Sequence, residues 1–404
     1  MQFKAILVAA ATIASSVAQN TPTLAAALNS TSQLSDLNTL LGQYPSLLAT
    51  LGNATNLTVL APSNTALMSL MNSSMANNSQ YVQALLSYHV LNMTVRSQNI
   101  STTPAFVHTL LNNTMYANVS RGQVVGARRA SGNNGTVQFI SGLGQRSNVT
   151  MADVNVTNGV VHIIDMPLTI PENASSTALA ANLTAFAGAL RATNLTNTID
   201  RARDYTIFVP SNMAFSSIGS VLPSLSTTQA TSLLEYHVLN GTVAYSPLLT
   251  SNSTVRSMAG SNLNITNENG EIFVNSARVI AADILTDGGV IHIIDSVLNP
   301  NSTLKPNPSV QSGVPAFSGA SSGAVPYTSG ITMMSQTMTD DYLTMTTDAV
   351  AAGYTTAPSG ALSSAGAAAS SARASSSSHG AAAMPTAAMG AAALFGGAAW
   401  MANF

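Results

Sequence analysis

Short apolar patterns occur twice along the chain, in the same order. Residues 58–62 (TVLAP) and 206–210 (TIFVP) are β-branched and apolar runs closed by proline, which predicts a buried strand that ends there. Residues 159–165 (GVVHIID) and 289–295 (GVIHIID) are apolar without alternation, which is typical of a strand covered on both faces. An Asn-Gly or Gly-Gly pair at the start of these later runs indicates a hairpin turn.

Signals for helices lie between these predicted strands. Ser63 and Ser211, each followed by asparagine, supply side chains that cap the start of a helix. Residues 85–92 (LLSYHVLN) and 233–240 (LLEYHVLN) place two leucines and a histidine on one helical stripe. Each copy is therefore predicted to mix helices and strands and to end on a buried hairpin strand.

The spacing of the repeated blocks locates a difference between the two copies. The first two blocks recur after 148 residues and the third after 130, so the first copy carries 18 additional residues. The segment 128–148, rich in glycine and basic residues, is predicted to hold this insertion. Three blocks that recur in one order indicate a duplicated domain.

The N-terminus has the pattern of a secretory signal peptide. Lys4 precedes the apolar run 5–13, and residues 16–18 are small, as cleavage requires. The apolar run is too short for a good membrane span. We therefore expect an exported chain that begins near Gln19; the alternative is a buried N-terminal core helix.

The C-terminal part loses apolar periodicity at about residue 300 and becomes rich in Ser, Ala, Gly, Pro and Thr. Such a composition predicts an extended, O-glycosylated stalk. The uncharged tail 387–404 follows a short spacer, which predicts a glycolipid anchor attached at Ser376 or Gly380; the alternative is a secreted low-complexity tail. The predicted segments are a signal peptide (1–18), a first module (19–169), a second module (173–299), a stalk (300–378) and an anchor-signal tail (379–404).

Composition narrows the range of functions. With 13 Lys and Arg and 15 Asp and Glu in 404 residues, the chain lacks the clustered positive charge that nucleic-acid binding needs. It contains no cysteine, which excludes disulfides, thiolate chemistry and cysteine-ligated zinc. A surface so poor in charge needs another source of hydration.

Attached glycans would provide that hydration. Asn-x-Ser/Thr acceptor triplets occur throughout the chain, and an exported protein carrying so many is expected to be extensively N-glycosylated. The acceptor positions are Asn29, Asn53, Asn56, Asn72, Asn77, Asn92, Asn99, Asn112, Asn118, Asn134, Asn148, Asn155, Asn173, Asn182, Asn194, Asn240, Asn252, Asn264 and Asn301.

The repeated blocks resemble the conserved boxes of the fasciclin (FAS1) family over about residues 20–299. The matching positions are Pro62, Asn64, Tyr88, His89, His162 and Asp165 in the first copy and Pro210, Asn212, Tyr236, His237, His292 and Asp295 in the second. Leu60 stands where the family usually has an aromatic residue, and Val209 where it has alanine. The resemblance implies an α+β fold of wedged β-sheets with packed helices. It also implies a role in adhesion or in matrix or cell-wall organisation, usually without catalysis, as in fungal surface proteins of this family.

The recurring histidines allow two interpretations. His89 and His162, with Asp153, could form a two-histidine, one-carboxylate metal centre, and His237, His292 and Asp283 could do so in the second copy. Because these histidines lie in continuous apolar runs, we expect instead that they make buried hydrogen bonds that tie a helix to the final strand. On this interpretation the chain binds no metal or cofactor, and His89→Ala or His237→Ala destabilises a module. The carboxylates of Asp165 and Asp295, which end a strand, are expected to cap a neighbouring turn.

Two surface contacts are candidates for partner binding. Asp283-Ile284 resembles an Asp-Ile pair that animal members of the family present to receptors, although the first copy has Asp153-Val154. Arg128 and Arg129 form a small basic patch that could contact anionic wall or matrix polysaccharide.

These features predict a non-catalytic, extracellular adhesion glycoprotein held at the membrane only by its lipid anchor. Its expected partners are wall or matrix polysaccharide, surface proteins or other copies of the chain. Two alternatives stay open: an enzyme acting on wall polysaccharide, which needs paired carboxylates, and a secreted module with a pocket lined by Leu and Met for an apolar ligand. The one Gly-x-Ser-x-Gly match, residues 319–323, lies in the predicted stalk without the strand and helix that a nucleophilic serine needs.

Overall fold

The computed structural model describes residues 21–131, 135–268, 270–310, 313–325, 327–332 and 338, all of which belong to one unit. The predicted signal peptide, the anchor-signal tail with Ser376 and Gly380, and the acceptor Asn134 lie outside the described residues. Within the described residues, no helix combines the length and the apolar character that crossing a membrane requires.

The described residues form two modules with the same order of elements. The first contains helices α1 (Leu24–Ser30), α2 (Ser35–Gly42), α3 (Pro45–Asn53), α4 (Asn64–Met71) and α5 (Ser79–Tyr88) and strands β1 (Leu57–Pro62), β2 (Val90–Leu91), β3 (Ala105–His108), β4 (Val124–Arg129), β5 (Val137–Ile140), β6 (Arg146–Val156) and β7 (Gly159–Ile164). The second contains helices α6 (Ala174–Ala180), α7 (Thr184–Ala192), α8 (Thr196–Asp200), α9 (Asn212–Ser217) and α10 (Thr227–Tyr236) and strands β8 (Tyr205–Pro210), β9 (Val238–Leu239), β10 (Ser253–Arg256), β11 (Asn262–Glu268), β12 (Glu271–Val274), β13 (Ala277–Leu285) and β14 (Gly289–Ile294).

Each module is built on a seven-stranded sheet with equivalent strand order. The orders are β2-β1-β7-β6-β5-β4-β3 and β9-β8-β14-β13-β12-β11-β10. In each sheet the first long strand pairs in parallel with the last one, β1 with β7 and β8 with β14. The remaining described pairs are antiparallel. The predicted α+β class, the duplication and the closing hairpin strand are therefore confirmed.

Both faces of the central strands are covered, which explains their unbroken apolar sequence. Val59 and Ala61 of β1 pack in a cluster with the helices α1–α5, whereas Leu60, between them, packs in a second cluster with β4 and β5 on the other face. Alternate residues of a strand point to opposite faces, so a strand buried on both sides is apolar throughout. Ser63 and Ser211 cap α4 and α9 as predicted, accepting hydrogen bonds from Ala66 and Ala214 at 3.3 and 3.1 Å.

Two glycines allow the parallel strand pairs to begin. A Cβ atom added at Gly159 would lie 1.9 Å from the carbonyl oxygen of Leu57, and one at Gly289 would lie 1.9 Å from that of Tyr205. No side chain fits in such a space. The glycines that open the third block are therefore required by strand packing in addition to the turn.

The additional residues of the first module are not confined to the segment 128–148. Fifteen residues, 109–123, connect β3 to β4, whereas five, 257–261, connect β10 to β11. Smaller differences occur in the two connections that follow. The prediction was correct only in part: the connections 130–136 and 141–145 lie inside the segment 128–148, but the largest difference precedes β4, in which Arg128 and Arg129 pair with β5.

The segment that follows the second module is not a free stalk from residue 300 onward. We call its described residues from 306 to 332, together with Met338, the strap. The backbone of the strap forms hydrogen bonds with the second module: the amide of Gly323 donates to the carbonyl of Ser216 at 2.9 Å, and that of Met338 donates to the carbonyl of Ala180 at 2.9 Å. Arg278 donates to the carbonyl oxygens of Pro308 and Val310 at 3.1 and 2.8 Å.

Widely spaced apolar residues explain why the strap packs on the module. Its side chains at Phe317, Ala320, Val325 and Tyr327 lie against the core formed by α6, α7, α9 and α10. Gly188 of α7 approaches the strap so closely that a Cβ atom there would lie 1.9 Å from the carbonyl oxygen of Tyr327. Sequence periodicity misses such a segment, because an extended chain without regular structure has no fixed apolar repeat.

Candidate functional site

His89 and His237 each connect the end of a helix to the segment after the last strand. The Nδ1–H group of His89 donates to the carbonyl of Leu85 at 2.7 Å, and its Nε2 accepts from the amide of Leu168 at 2.8 Å. His237 makes the equivalent pair, with Leu233 at 2.7 Å and Leu298 at 2.9 Å. One donating and one accepting nitrogen is the pattern of a neutral imidazole.

His162 and His292 use the opposite arrangement. The Nε2–H group of His162 donates to the carbonyl of Val95 at 2.8 Å, and its Nδ1 accepts from the amide of Asp153 at 3.2 Å. His292 repeats these contacts with Ala244 at 2.8 Å and Asp283 at 3.3 Å. Both nitrogens of each ring are thus occupied by backbone groups of the same module.

This geometry does not suit metal binding. A metal ligand needs a free nitrogen lone pair, and in each ring the accepting nitrogen already receives an amide hydrogen. Burial lowers the pKa of His89 and of His237 to about 4 and also lowers the pKa values of His162 and His292. Among the described residues, no three His, Cys, Asp or Glu side chains are grouped closely enough to hold a metal ion.

Asp153 and Asp283 each hold a serine from the connection that follows the short second strand of their module. The carboxylate of Asp283 accepts from the amide of Ser246 at 2.7 Å and from its hydroxyl group. Asp153 accepts the same two hydrogen bonds from Ser97, the amide one at 3.0 Å. Burial raises the pKa of Asp283.

The Asp283-Ile284 pair is not available to a receptor. Asp283 is 6% exposed and Ile284 is fully buried. A register irregularity in the β13–β14 pair places Asp283 at a positive φ of 65°, where its carboxylate meets Ser246. The expectation of a partner contact at this pair was therefore wrong: the same geometry at Asp153 shows that the dipeptide belongs to the internal framework of both modules.

Arg128 and Arg129 also fail to form an exposed basic patch. Arg128 is buried in β4, with its guanidinium 3.5 Å from the side chain of Gln138. Arg129 donates to the backbone carbonyls of Gly135, Ser97 and Ile100 at 2.6, 2.6 and 3.2 Å. These guanidinium groups stabilise the module and are not free for a polysaccharide.

The remaining family positions act within each module. The side chain of Asn64 accepts from the amide of Asp36 at 3.1 Å and donates to the carbonyl of Ser32 at 3.0 Å, which joins α4 to the start of α2. Asn212 makes the equivalent bonds in the second module. The hydroxyl group of Tyr88 donates to Val124 at 2.8 Å, and that of Tyr236 donates to Asn262 at 3.0 Å.

Asp165 and Asp295 bind residues at the start of the preceding hairpin strand. Asp165 accepts from the amide and the side chain of Asn148 at 2.7 and 2.8 Å. Asp295 accepts from the amide of Arg278 at 2.9 Å. Burial raises the pKa of Asp295, against the effect of Arg278.

The long β3–β4 connection of the first module contacts the second module. The side chain of Gln123 donates to the carbonyls of Thr286 and Asp287 at 3.0 and 3.3 Å, and the backbone amide of Asn118 donates to the carbonyl of Asp287 at 2.6 Å. The amide of Ser120 donates to Asp204 at 2.7 Å. This contact contains most of the extra residues of the first module, so the difference in length between the copies has a structural use that sequence reasoning missed.

Aromatic and aliphatic residues complete this junction. The rings of Phe106 and Tyr245 stack with centroids 4.1 Å apart and an interplanar angle of 10°. Ile140 and Leu143 of the first module lie in the same apolar cluster as the helices of the second. The two modules are therefore joined by an apolar and hydrogen-bonded interface as well as by the chain.

A pocket lies beside this junction, with a volume of about 530 Å³. Its walls come from α4, α5 and the connection between them, the β3–β4 and β5–β6 connections, the linker between the modules, α6 and the β13–β14 turn. Tyr81, Tyr116, Glu172 and Asp287 are among the lining residues, and the described part of the chain contributes no Lys, Arg or His to it. These segments lie far apart in the sequence, so no local motif could have revealed the pocket.

Most of the glycosylation acceptors are accessible. The exposed ones are Asn29, Asn53, Asn56, Asn72, Asn77, Asn92, Asn99, Asn112, Asn155, Asn182, Asn194, Asn240, Asn252, Asn264 and Asn301. Asn118, Asn148 and Asn173 are half-buried and make side-chain hydrogen bonds at the junction, at the start of β6 and at the cap of α6. Potential glycan sites thus lie on both modules.

A domain-family model, curated proteins and a solved structure match the chain. A model of the fasciclin domain matches residues 32–171 and 181–300. A fasciclin-like arabinogalactan protein of Arthroderma benhamiae is 36% identical over 307 residues, which cover 74% of this chain and 72% of that protein. The fasciclin-like arabinogalactan protein CTB11 of Cercospora beticola is 31% identical over 309 residues, covering 74% and 81%. A solved FAS1 domain pair from the insect cell adhesion molecule Fasciclin I covers 66% of this chain and 97% of its own, at 19% identity and a TM-score of 0.33.

Proposed function

Because the chain belongs to the fasciclin domain family, we propose that it is a non-catalytic adhesion or matrix-organising glycoprotein of the cell surface or cell wall. Its partners on this proposal are wall or matrix polysaccharide, surface proteins or other copies of the chain. Its similarity to fungal fasciclin-like arabinogalactan proteins supports a surface role without enzymatic activity.

The observation that carries this proposal is the internal use of every recurring polar motif residue. The four recurring histidines have both ring nitrogens bonded to backbone groups, and the recurring aspartates accept hydrogen bonds from their own module. A catalytic group must instead reach a substrate. The motif that defines the family therefore builds the scaffold, and its outer surface is left for binding.

The attachment that we propose is a glycolipid anchor at Ser376 or Gly380, following a stalk that begins after the strap. Chains concentrated on one surface gain avidity, since a second contact forms at high effective concentration once the first has formed. The interface between the modules supports a fixed spacing of the two binding surfaces. A fixed spacing favours partners with a regular repeat, such as a polysaccharide, over a single small epitope.

A glycoside-hydrolysing enzyme is the second candidate, and one observation bears on it. Glu172 and Asp287 line the same pocket, and burial raises the pKa of Asp287 to about 6, a property found in catalytic acids. However, the side chain of Asp287 is also a partner of Asn118 at the module junction, at 3.3 Å. We therefore assign this carboxylate first to the interface.

To test this proposal, the full chain is expressed on the surface of non-adherent cells. We expect the cells to aggregate, and we expect phosphoinositide-specific phospholipase to release the chain and disperse the aggregates. A Ser376→Leu, Gly380→Leu double variant should reach the cell surface poorly while its soluble form stays folded. Unchanged aggregation after the chain has been released would contradict the adhesive role, and Glu172-dependent hydrolysis of wall polysaccharide would favour the enzyme.

A further inference from the structure

The pocket beside the module junction has features of a ligand-binding site that the adhesive function does not use. Its volume of about 530 Å³ lies within the range of small-molecule sites. Most of its lining residues belong to the first module and the linker, and Asn173, Ser176 and Asp287 come from the second module. The pocket is therefore complete only when the two modules are docked.

Its apolar part combines a buried base with an exposed, adaptable rim. Leu85 and Leu168 form part of the base and are buried. Met75, Met115 and Met166 line the rim with exposures of 45%, 66% and 42%. Exposed methionine side chains have few apolar neighbours, and an apolar ligand would supply such contacts. Because these side chains are flexible, they can adjust to ligands of different shape.

The polar part of the pocket has a marked charge preference. The rings of Tyr81 and Tyr116 meet edge to face, with centroids 6.0 Å apart, next to Glu172. The backbone amide of Asp287 donates to the backbone carbonyl of Glu172 at 2.8 Å, so the main chains of these two acidic lining residues are in contact. Among the residues that the structure describes, none of those lining the pocket is Lys, Arg or His, so these described walls offer the two carboxylates no basic partner.

We propose that this pocket binds a small amphiphilic ammonium compound. Its apolar body lies against the methionines and leucines, and its ammonium group lies between Glu172, Asp287 and the tyrosine rings. Carboxylates attract a cation, and aromatic faces attract it further when it is partly removed from water. An anionic amphiphile would meet two like charges and is disfavoured. This site is separate from the outer surface proposed for adhesion.

The test compares three probes with the same chain length: octylammonium, octanol and octanoate. Binding to the full glycosylated protein at pH 7.5 is measured by titration calorimetry and ligand-observed NMR. We expect octylammonium to bind at least about 10-fold more tightly than octanoate, with octanol between them. Equal or tighter binding of octanoate, or no binding of any probe, would overturn the proposal.

Variants distinguish the two parts of the pocket. Glu172→Gln should weaken octylammonium binding about 10-fold and leave octanol binding unchanged. Met115→Ser should weaken all three probes. Glu268→Gln, an acidic residue of β11 outside the pocket, is the matched control and should have no effect. Loss of octylammonium binding in the control as well, or its retention in Glu172→Gln with unchanged melting, would contradict the assignment.

Discussion

Replacing His237 with alanine tests whether the recurring histidines are structural. The substitution removes the hydrogen-bond partners of Leu233 and Leu298 at a buried position. A buried polar group left without a partner costs about 1–3 kcal/mol, so we expect a loss of about 2–5 kcal/mol in the free energy of unfolding at pH 7.5. The loss is measured by urea denaturation followed by circular dichroism.

The same variant predicts a specific dependence on pH. Burial lowers the pKa of His237 from 6.5 to about 4, which corresponds to about 3 kcal/mol between the two protonation states. Between pH 4 and pH 6.5 the imidazole of His237 binds a proton in the unfolded protein but not in the folded one. The contribution of neutral His237 to the free energy of unfolding is therefore fully present above pH 6.5 and is lost as the pH falls to 4. The difference in the free energy of unfolding between the native protein and His237→Ala should therefore be about 3 kcal/mol smaller at pH 4 than at pH 7.5.

Thr206→Val provides the matched control for this experiment. Thr206 is buried in the same module and makes two hydrogen bonds of 2.8 Å, with Thr242 and Ala244, but its side chain does not titrate. We expect a comparable destabilisation that stays constant with pH. If His237→Ala costs less than about 1 kcal/mol, or if its effect is as constant as that of Thr206→Val, the ring is not a buried neutral connector.

Three further predictions concern the strap, the junction and the glycans. Gly188→Ala puts a methyl group where the carbonyl of Tyr327 lies, so limited proteolysis should cut the strap faster than in the native protein; equal rates would contradict the close packing. Gln123→Ala removes a buried hydrogen bond between the modules, at a cost of about 1–3 kcal/mol. Calorimetry should therefore resolve separate unfolding transitions of the two modules, whose unfolding is more closely coupled in the native protein. An unchanged calorimetric trace would refute this. Mass spectrometry of glycopeptides should find exposed Asn92 modified more fully than Asn148, whose amide binds Asp165, and full occupancy of Asn148 would contradict the described contact.

The sequence predicted the features that depend on local pattern and on duplication. The proline-closed runs became β1 and β8, and the serine caps formed at α4 and α9. The histidines make buried hydrogen bonds as predicted, although His89 and His237 tie their helices to the segment after the last strand and not to the strand itself. These features follow from side-chain period and hydrogen-bonding capacity, which a sequence displays directly.

Features that depend on distant contacts were not predictable. Arg129 looked like part of a solvated basic loop because its carbonyl partners lie far away in the sequence, as at Ser97 and Ile100. Asp283 was expected to contact a partner, because nothing in its own segment reveals that the amide of Ser246 donates a hydrogen bond to its carboxylate. The pocket requires the modules to dock, and the strap buries scattered residues such as Phe317 without any repeat.

The parallel pairing of β8 with β14 determines how the second module responds to mechanical load. The two strands run in register from Tyr205 opposite Gly289 to Pro210 opposite Ile294. In a parallel pair, the start of one strand and the end of the other lie at opposite ends of the ladder. Tension applied at these two points therefore loads the whole ladder in shear. Its hydrogen bonds resist the load together and do not break one after another.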